Sequence, residues 1–368
     1  MKDKIVVVGG YGHVGKTICQ ELGKRHPGKV YAAGRSLDSA VRFCQTTGGA
    51  VLPLRLDSKG VFDESFFLDV KLVVMCLDQS DPAFVKFCFA NGIHYVDISA
   101  DYSFLKQVEN MRAEAEKGGT TAVLSVGLAP GLTNLLALEA KRHVDWLDSV
   151  DISIMLGLGD RHGEAAIAWT VDNLDSEFTV WQSGTAVSVE SFTDGKRTDF
   201  GKGIGRRTAY RFNFSDQHVI PHTAGVPTVS TRLCFDSAVV TESLAWLKRM
   251  GSFSYLKRKP VRDAIVKSFG TIRFGKELFI VKMDAWGSRG GQDRMIEYML
   301  RGKNEAEMTA YIAAWTANAL YCAAFPHGVY HIDQLFDFPM IWPELSAMAA
   351  LEARASVQGS LDTKRFRN

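Results

Sequence analysis

The chain has no C-x-x-C pair, no apolar run of the roughly 18 residues a membrane helix requires, no internal repeat and almost no charge imbalance. Each absence excludes something. Lys and Arg number 43 against 41 Asp and Glu, a net charge of +2, which names no polyanionic partner and argues against a nucleic-acid footprint. The six cysteines (Cys19, Cys44, Cys76, Cys88, Cys234, Cys322) sit mostly in apolar context and read as reduced, buried thiols of a cytoplasmic protein. No His/Cys/Asp spacing suggests a metal, and no G-x-S-x-G suggests a serine hydrolase. An apolar strand begins almost at residue 1, which leaves no room for a signal peptide ahead of it. With 368 residues, the chain is too long for one ordinary core, and two domains are expected.

What is present begins with KIVVVGGYGHVGKTI at 4–18. A continuous apolar run suits a strand buried on both faces. Behind it comes G-x-G-x-x-G at Gly10, Gly12 and Gly15, then KTICQELGKR (16–25), which places Ile18 and Leu22 at helical spacing. Strand-like segments follow at 29–35, 50–57, 71–77, 93–99 and 121–127, and helix-like segments at 36–48, 81–92 and 103–119. Pro53 weakens the third strand. This alternation predicts an α/β fold: a doubly wound parallel Rossmann sheet with helices on both faces. Beyond residue 148 the rhythm changes. Segments 148–159, 186–192, 207–214 and 277–287 read as strands, 243–251 as helix, and 305–325 as a long Ala-rich helix. The expected organisation is a dinucleotide-binding domain at 1–130, completed by helices within 305–350, and an α+β substrate and dimerisation domain at 131–304. The last dozen residues look frayed.

The glycines point to a dinucleotide. One permits the tight turn, the next lets backbone approach a pyrophosphate, and the third lets helix and strand pack closely. The helix N-terminus then offers free N–H groups and a positive dipole end. The second strand ends not in an acid, as NAD ribose recognition favours, but in Gly34-Arg35-Ser36. Arg35 can pair with a 2′-phosphate and Ser36 can donate to it, which favours NADP over NAD. Asp38 reverses that preference if the strand ends later. The candidate cofactor residues are Gly10, Tyr11, Gly12, His13, Val14, Gly15, Arg35 and Ser36, with Asp57 after the third strand and Leu77 and Asp78 after the fourth.

On three stretches, VVVGGYGHVGKTI, GIHYVDIS (92–99) and SVGLAPGLTNLLA (125–137), the chain resembles the saccharopine dehydrogenase-like oxidoreductases, which include saccharopine reductase, lysine 6-dehydrogenase and carboxynorspermidine synthase. The resemblance implies an NAD(P)-binding domain completed by C-terminal helices, and a mixed-sheet substrate domain often used to form a homodimer. It implies hydride transfer at a C–N bond: imine reduction or amine oxidation on an amino acid or an amine carrying a carboxylate. The chain departs from saccharopine reductases at Ala129, where they tend to carry an acid before the proline, and 157–174 maps on no characterised member.

Candidate catalytic residues lie where an open sheet presents its crevice, at the carboxyl ends of the strands. Asp101 and Tyr102 follow the fifth strand, although Asp101 suits an N-cap equally. In the second domain, Asp160-Arg161-His162-Gly163-Glu164 is the densest polar cluster. Arg161 suits a bidentate carboxylate clamp and His162 a proton shuttle near neutrality. Asn134 and Trp169 are candidate substrate contacts; Arg206, Arg207, Arg232, Arg289 and Arg294 fit surface or salt-bridging roles better. Two rivals stand beside this reading. Tyr102-x-x-x-Lys106 mimics the pair of short-chain carbonyl reductases, and a protein that binds NADP without turnover would serve as a regulatory scaffold.

Overall fold

The computed structural model describes residues 2–60, 63–160, 163–271, 275–357 and 364–366. In chain order the first part runs β1 (Lys4–Val8), α1 (His13–Arg25), β2 (Val30–Gly34), α2 (Leu37–Gln45), β3 (Val51–Arg55), β4 (Val70–Met75), α3 (Ala83–Ala90), β5 (His94–Asp97), α4 (Tyr102–Glu109), α5 (Arg112–Lys117) and β6 (Thr121–Leu124). The middle runs α6 (Thr133–Lys141), β7 (Trp146–Leu156), α7 (Glu164–Asp172), β8 (Glu177–Gln182), β9 (Thr185–Glu190), β10 (Lys196–Asp199), β11 (Arg206–Arg211), α8 (Asp216–Thr223), β12 (Thr228–Phe235), α9 (Ala238–Arg249), α10 (Lys259–Thr271), β13 (Phe279–Arg289) and β14 (Gln292–Gly302). The last part runs α11 (Glu305–Cys322), β15 (Gly328–His331), α12 (Ile332–Leu335), α13 (Phe338–Leu345), β16 (Ala349–Val357) and β17 (Lys364–Phe366).

Two compact units result. The first holds Met1–Leu132 and Ala306–Leu335. Its seven-stranded sheet has the order β15-β6-β5-β4-β1-β2-β3, with every pairing parallel. Ile5, Val6 and Val7 are fully buried, as an unbroken apolar run between two helix layers requires. Pro53 sits in β3, the edge strand, where a missing N–H donor costs least. The chain passes from β1 to β2 on one side and returns to β4 on the other. The crevice at the carboxyl ends of β1 and β4 is therefore the topological switch point, where such sheets bind ligands. Two boundaries differ from the sequence reading. Helix α1 begins at His13, before its first buried apolar residue, and the expected helix over 103–119 breaks at Asn110–Met111 into α4 and α5.

The second unit holds Thr133–Glu305 and Phe336–Asn368. Its eight-stranded sheet, β10-β11-β12-β7-β13-β14-β16-β17, is antiparallel except where β12 pairs with β7. Along β7, Ile152 and Ile154 point to one face and Asp151 and Ser153 to the other. The polar face is held by alternating charges. Arg232 on β12 pairs with Asp151 and, at 2.8 Å, with Asp194; Lys196 on β10 reaches Asp151 at 2.6 Å; Lys282 on β13 bonds Glu297 on β14 at 2.6 Å. Buried charges persist when each finds an opposite partner. The tail is not frayed throughout: β17 pairs antiparallel with β16. No helix among the described residues is long and apolar enough to cross a membrane.

Candidate functional site

The glycine loop closes on its own backbone. The N–H groups of Gly9 and Gly10 both donate to Ala33 O on β2, at 2.8 and 3.2 Å, and Gly12 N–H donates to Gly9 O at 2.8 Å. A Cβ on Gly10 would stand 2.7 Å from Ala32 Cα, and one on Gly15 only 2.2 Å from Gly9 O. Both contacts are backbone, so no side chain fits without moving the turn. Helix α1 then opens with no side-chain cap and no acid in its first turn. Its first main-chain bond is Lys16 N–H to Gly12 O, which leaves the N–H groups of His13, Val14 and Gly15 without a helical carbonyl. This uncapped positive end behind a cradle that a single Cβ would fill fits a pyrophosphate. Leu77, just past β4, packs across the loop: a Cβ on Gly9 would lie 2.9 Å from it.

At the adenosine end, β2 stops at Gly34, and Asp38 lies in the first turn of α2, not on the strand. Arg35 is exposed and is engaged in no ion pair among the described residues. The Ser36 hydroxyl is occupied: it accepts from Ser39 N–H at 3.2 Å as the N-cap of α2 and donates to Ser39 Oγ at 3.0 Å. Asp57, two residues beyond β3, accepts from Lys59 N–H at 3.1 Å.

The ends of β4 and β5 hold a buried acid that the sequence reading passed over. Asp97 is fully buried. Tyr95 O–H donates to Asp97 Oδ2 at 2.6 Å, Gln79 Nε2 donates to Tyr95 Oη at 2.7 Å, and Ser99 N–H donates to Asp97 Oδ1 at 2.7 Å. Burial pushes the Asp97 carboxyl up to about 7, against the Tyr95 and Ser99 bonds that favour its charged form, with the charge of Asp78 adding to the rise. The strand end was the available signal; burial, which sets its acidity, is tertiary. Asp101 is the N-cap of α4, accepting from Ser103 N–H at 2.8 Å and from Ser103 Oγ at 2.7 Å, both through Oδ1. Tyr102 is half-buried; burial and then the charge of Glu109 raise its phenol, while Lys106 opposes the rise. Lys106 Nζ bonds Glu109 at 2.9 Å, Glu109 bonds His331 Nε2 at 2.8 Å, and His331 Nδ1 meets Ser125 Oγ at 2.8 Å. Ser125 sits at φ 56° at the end of β6. The constellation has the residue types of a serine nucleophile, but Ser125 is fully buried, and the next amide, Val126 N–H, is spent on Asp97 O at 3.2 Å. It ties β15, α4 and the end of β6 together. No pattern in the sequence links residues 109, 125 and 331.

In the second unit, Arg161 and His162 lie outside the described residues. Asn134 is fully buried at the start of α6. Trp169 on α7 stands edge-on to Phe212, ring centroids 5.5 Å apart, and tilted against Phe214 at 5.4 Å. Arg232 is committed to Asp151 and Asp194 and is no substrate clamp. Asp216 is a second fully buried carboxyl, pushed up to about 6 by burial although Thr231 Oγ1 donates to it at 2.6 Å. Among the described residues no group of three or more His, Cys, Asp or Glu is placed to hold a metal ion.

A parallel sheet with its switch point at β1 and β4, and a glycine cradle under an uncapped helix, define a Rossmann unit of the dinucleotide-binding class. Residues 5–123 match the saccharopine dehydrogenase NADP binding domain family. The first unit thus carries a domain of that NADP-binding family. No curated protein matches it by sequence. Among solved structures it is similar in fold to apo saccharopine dehydrogenase (L-Glu forming) from Saccharomyces cerevisiae, with 14% identity over 95% of this chain and 99% of that one and a TM-score of 0.65. DAP dehydrogenase from C. glutamicum in complex with DAP aligns at 14% identity over 94% and 99%, TM-score 0.45. GenD2 from gentamicin A biosynthesis in complex with NAD aligns at 11% identity over 94% and 93%, TM-score 0.43. At such identities the likeness is one of fold.

Proposed function

We propose that the protein is an NADP-dependent oxidoreductase acting on a C–N bond of an amino acid or related amine, as a homodimer in the cytoplasm. The observation that carries the reading is the saccharopine dehydrogenase NADP binding domain at 5–123, with a glycine cradle in which a Cβ on Gly15 would meet Gly9 O at 2.2 Å. The bound reduced nicotinamide supplies a hydride to carbon. The chain supplies orientation, exclusion of water and a proton. In the first unit the proposed proton-handling residues are Asp101 and Tyr102. Asp97, fully buried and half-protonated near neutrality, joins them as an acid whose Oδ2 already accepts the Tyr95 O–H. In the second unit, His162 is proposed to move the nitrogen-bound proton, Arg161 to clamp a carboxylate, and Asn134 and Trp169 to border the substrate.

A carbonyl-reductase reading has one observation in its favour, the charge of Lys106, which favours the ionised form of the Tyr102 phenol. Against it, Lys106 Nζ is paired with Glu109 at 2.9 Å, which draws its charge away from the phenol. The experiment is oxidation of NADPH, followed by its absorbance, with a panel of amines and 2-oxo acids or semialdehydes offered singly and in pairs. The expected result is turnover that requires both an amine and a carbonyl compound. Turnover with a carbonyl compound alone contradicts the reading, and so does binding of NADPH without turnover on any pair.

A further inference from the structure

The carboxyl end of β2 is where the ribose 2′ substituent of a dinucleotide meets a Rossmann sheet. Two hydroxyls stand there. The Ser36 hydroxyl is spent at both ends within α2, accepting from Ser39 N–H and donating to Ser39 Oγ. The Tyr11 hydroxyl is spent at one end only. Its oxygen accepts the Ser36 N–H at 2.9 Å, and among the described residues no acceptor takes its proton. The ring is held in place by an absence: a Cβ on Gly34 would lie 2.5 Å from Tyr11 Oη and 2.6 Å from Cε1 and Cζ. Gly34 is thus needed where Tyr11 lies flat against the last residue of β2.

We infer that Tyr11 is the specificity-determining donor for the 2′-phosphoryl group of NADP: its phenol lies on Gly34, is oriented by the Ser36 amide, and donates its proton to a phosphoryl oxygen. The Ser36 amide, which would otherwise face the phosphate, is replaced by the hydroxyl it orients. Arg35 adds charge at the same strand end, and a hydroxyl fixed by a main-chain N–H adds direction. A phosphoryl oxygen is charged and a ribose hydroxyl is not, so the bond is stronger to NADP than to NAD. Selectivity then rests on an uncharged side chain of the glycine loop together with the guanidinium.

The test separates this from hydride chemistry by using fragments without nicotinamide. Adenosine 2′,5′-bisphosphate and adenosine 5′-monophosphate differ only in the 2′-phosphoryl group. Calorimetric titration of the full chain with each should show that Tyr11→Phe weakens the bisphosphate roughly tenfold or more, as for a hydrogen bond to a charged group, and the monophosphate by no more than about threefold. Gly34→Ala, which displaces the phenol, should reproduce that pattern in a variant whose melting temperature shows it folded. Equal losses for both ligands, or no loss for either, in both variants would overturn the assignment. Loss of the bisphosphate in Arg35→Ala with no loss in Tyr11→Phe would overturn it as well and leave the guanidinium as the sole determinant.

Discussion

Asp97 makes the protein's first unit sensitive to pH in a direction that can be worked out. An ordinary aspartate has a reference value of 3.8, and burial lifts Asp97 to about 7. The folded state therefore holds a proton that the unfolded chain releases. Stability from this group is complete below about pH 4 and is lost as pH rises through about 7. Three pH units correspond to about 4 kcal/mol, an upper figure because a raised carboxyl relaxes its surroundings. Replacing Asp97 with Asn removes the titration and keeps an oxygen for Ser99 N–H, while Tyr95 and Gln79 lose a charged acceptor. The assay is urea unfolding of both proteins from pH 4.5 to 8, with Asp97 followed separately by carboxyl-carbon NMR in the folded protein. The wild type should lose stability relative to Asp97→Asn as pH rises across this interval, by about 2 kcal/mol or more. Asp216, lifted to about 6, contributes equally to both proteins and cancels in the difference. Parallel stability curves, or an Asp97 signal that titrates near 4, would refute the argument.

Other outcomes follow from geometry. Gly15→Ala sets a Cβ 2.2 Å from Gly9 O, so NADP affinity should fall at least tenfold, with a stability loss of about 1–3 kcal/mol read from the melting temperature. Arg232→Ala removes one of the two cations that hold the Asp151 carboxyl below its ordinary range and leaves Lys196 as the other; unfolding free energy should drop by about 1–3 kcal/mol. His331→Ala leaves Ser125 Oγ buried without its 2.8 Å partner and should cost about 1–3 kcal/mol, read as faster hydrogen exchange in β6.

The first sheet was legible because its strands are continuous apolar runs separated by helical periods, and because the glycine spacing has a steric cause: a Cβ on Gly10 or Gly15 would meet backbone at 2.7 or 2.2 Å. Pro53 weakens the third strand in sequence and is tolerated in the fold because β3 is an edge. What escaped has physical reasons. Strand β15 is four residues long and joins β6 from more than 200 residues away, so no local pattern announces it. Strand β10, Lys-Arg-Thr-Asp, is polar because Lys196 and Thr198 pair with Asp151 and Ser153 across the sheet, not because it faces water alone. Asp97 reads in sequence as an ordinary acid; only its burial beside Tyr95 and Gln79 lifts its carboxyl to about 7. Ser36 shows the reverse: a residue suited to phosphate by type is committed to capping α2, and Tyr11 holds the proton that remains.

The most direct measurement is hydride tracing. The full-length protein is incubated with NADPH deuterated at C4 of the nicotinamide, an amine and a 2-oxo acid or semialdehyde, and the products are weighed by mass spectrometry. The account predicts deuterium on the carbon of a newly formed C–N bond, in a product that does not appear when the amine is omitted. Deuterium on an alcohol carbon, formed equally well without the amine, would contradict it.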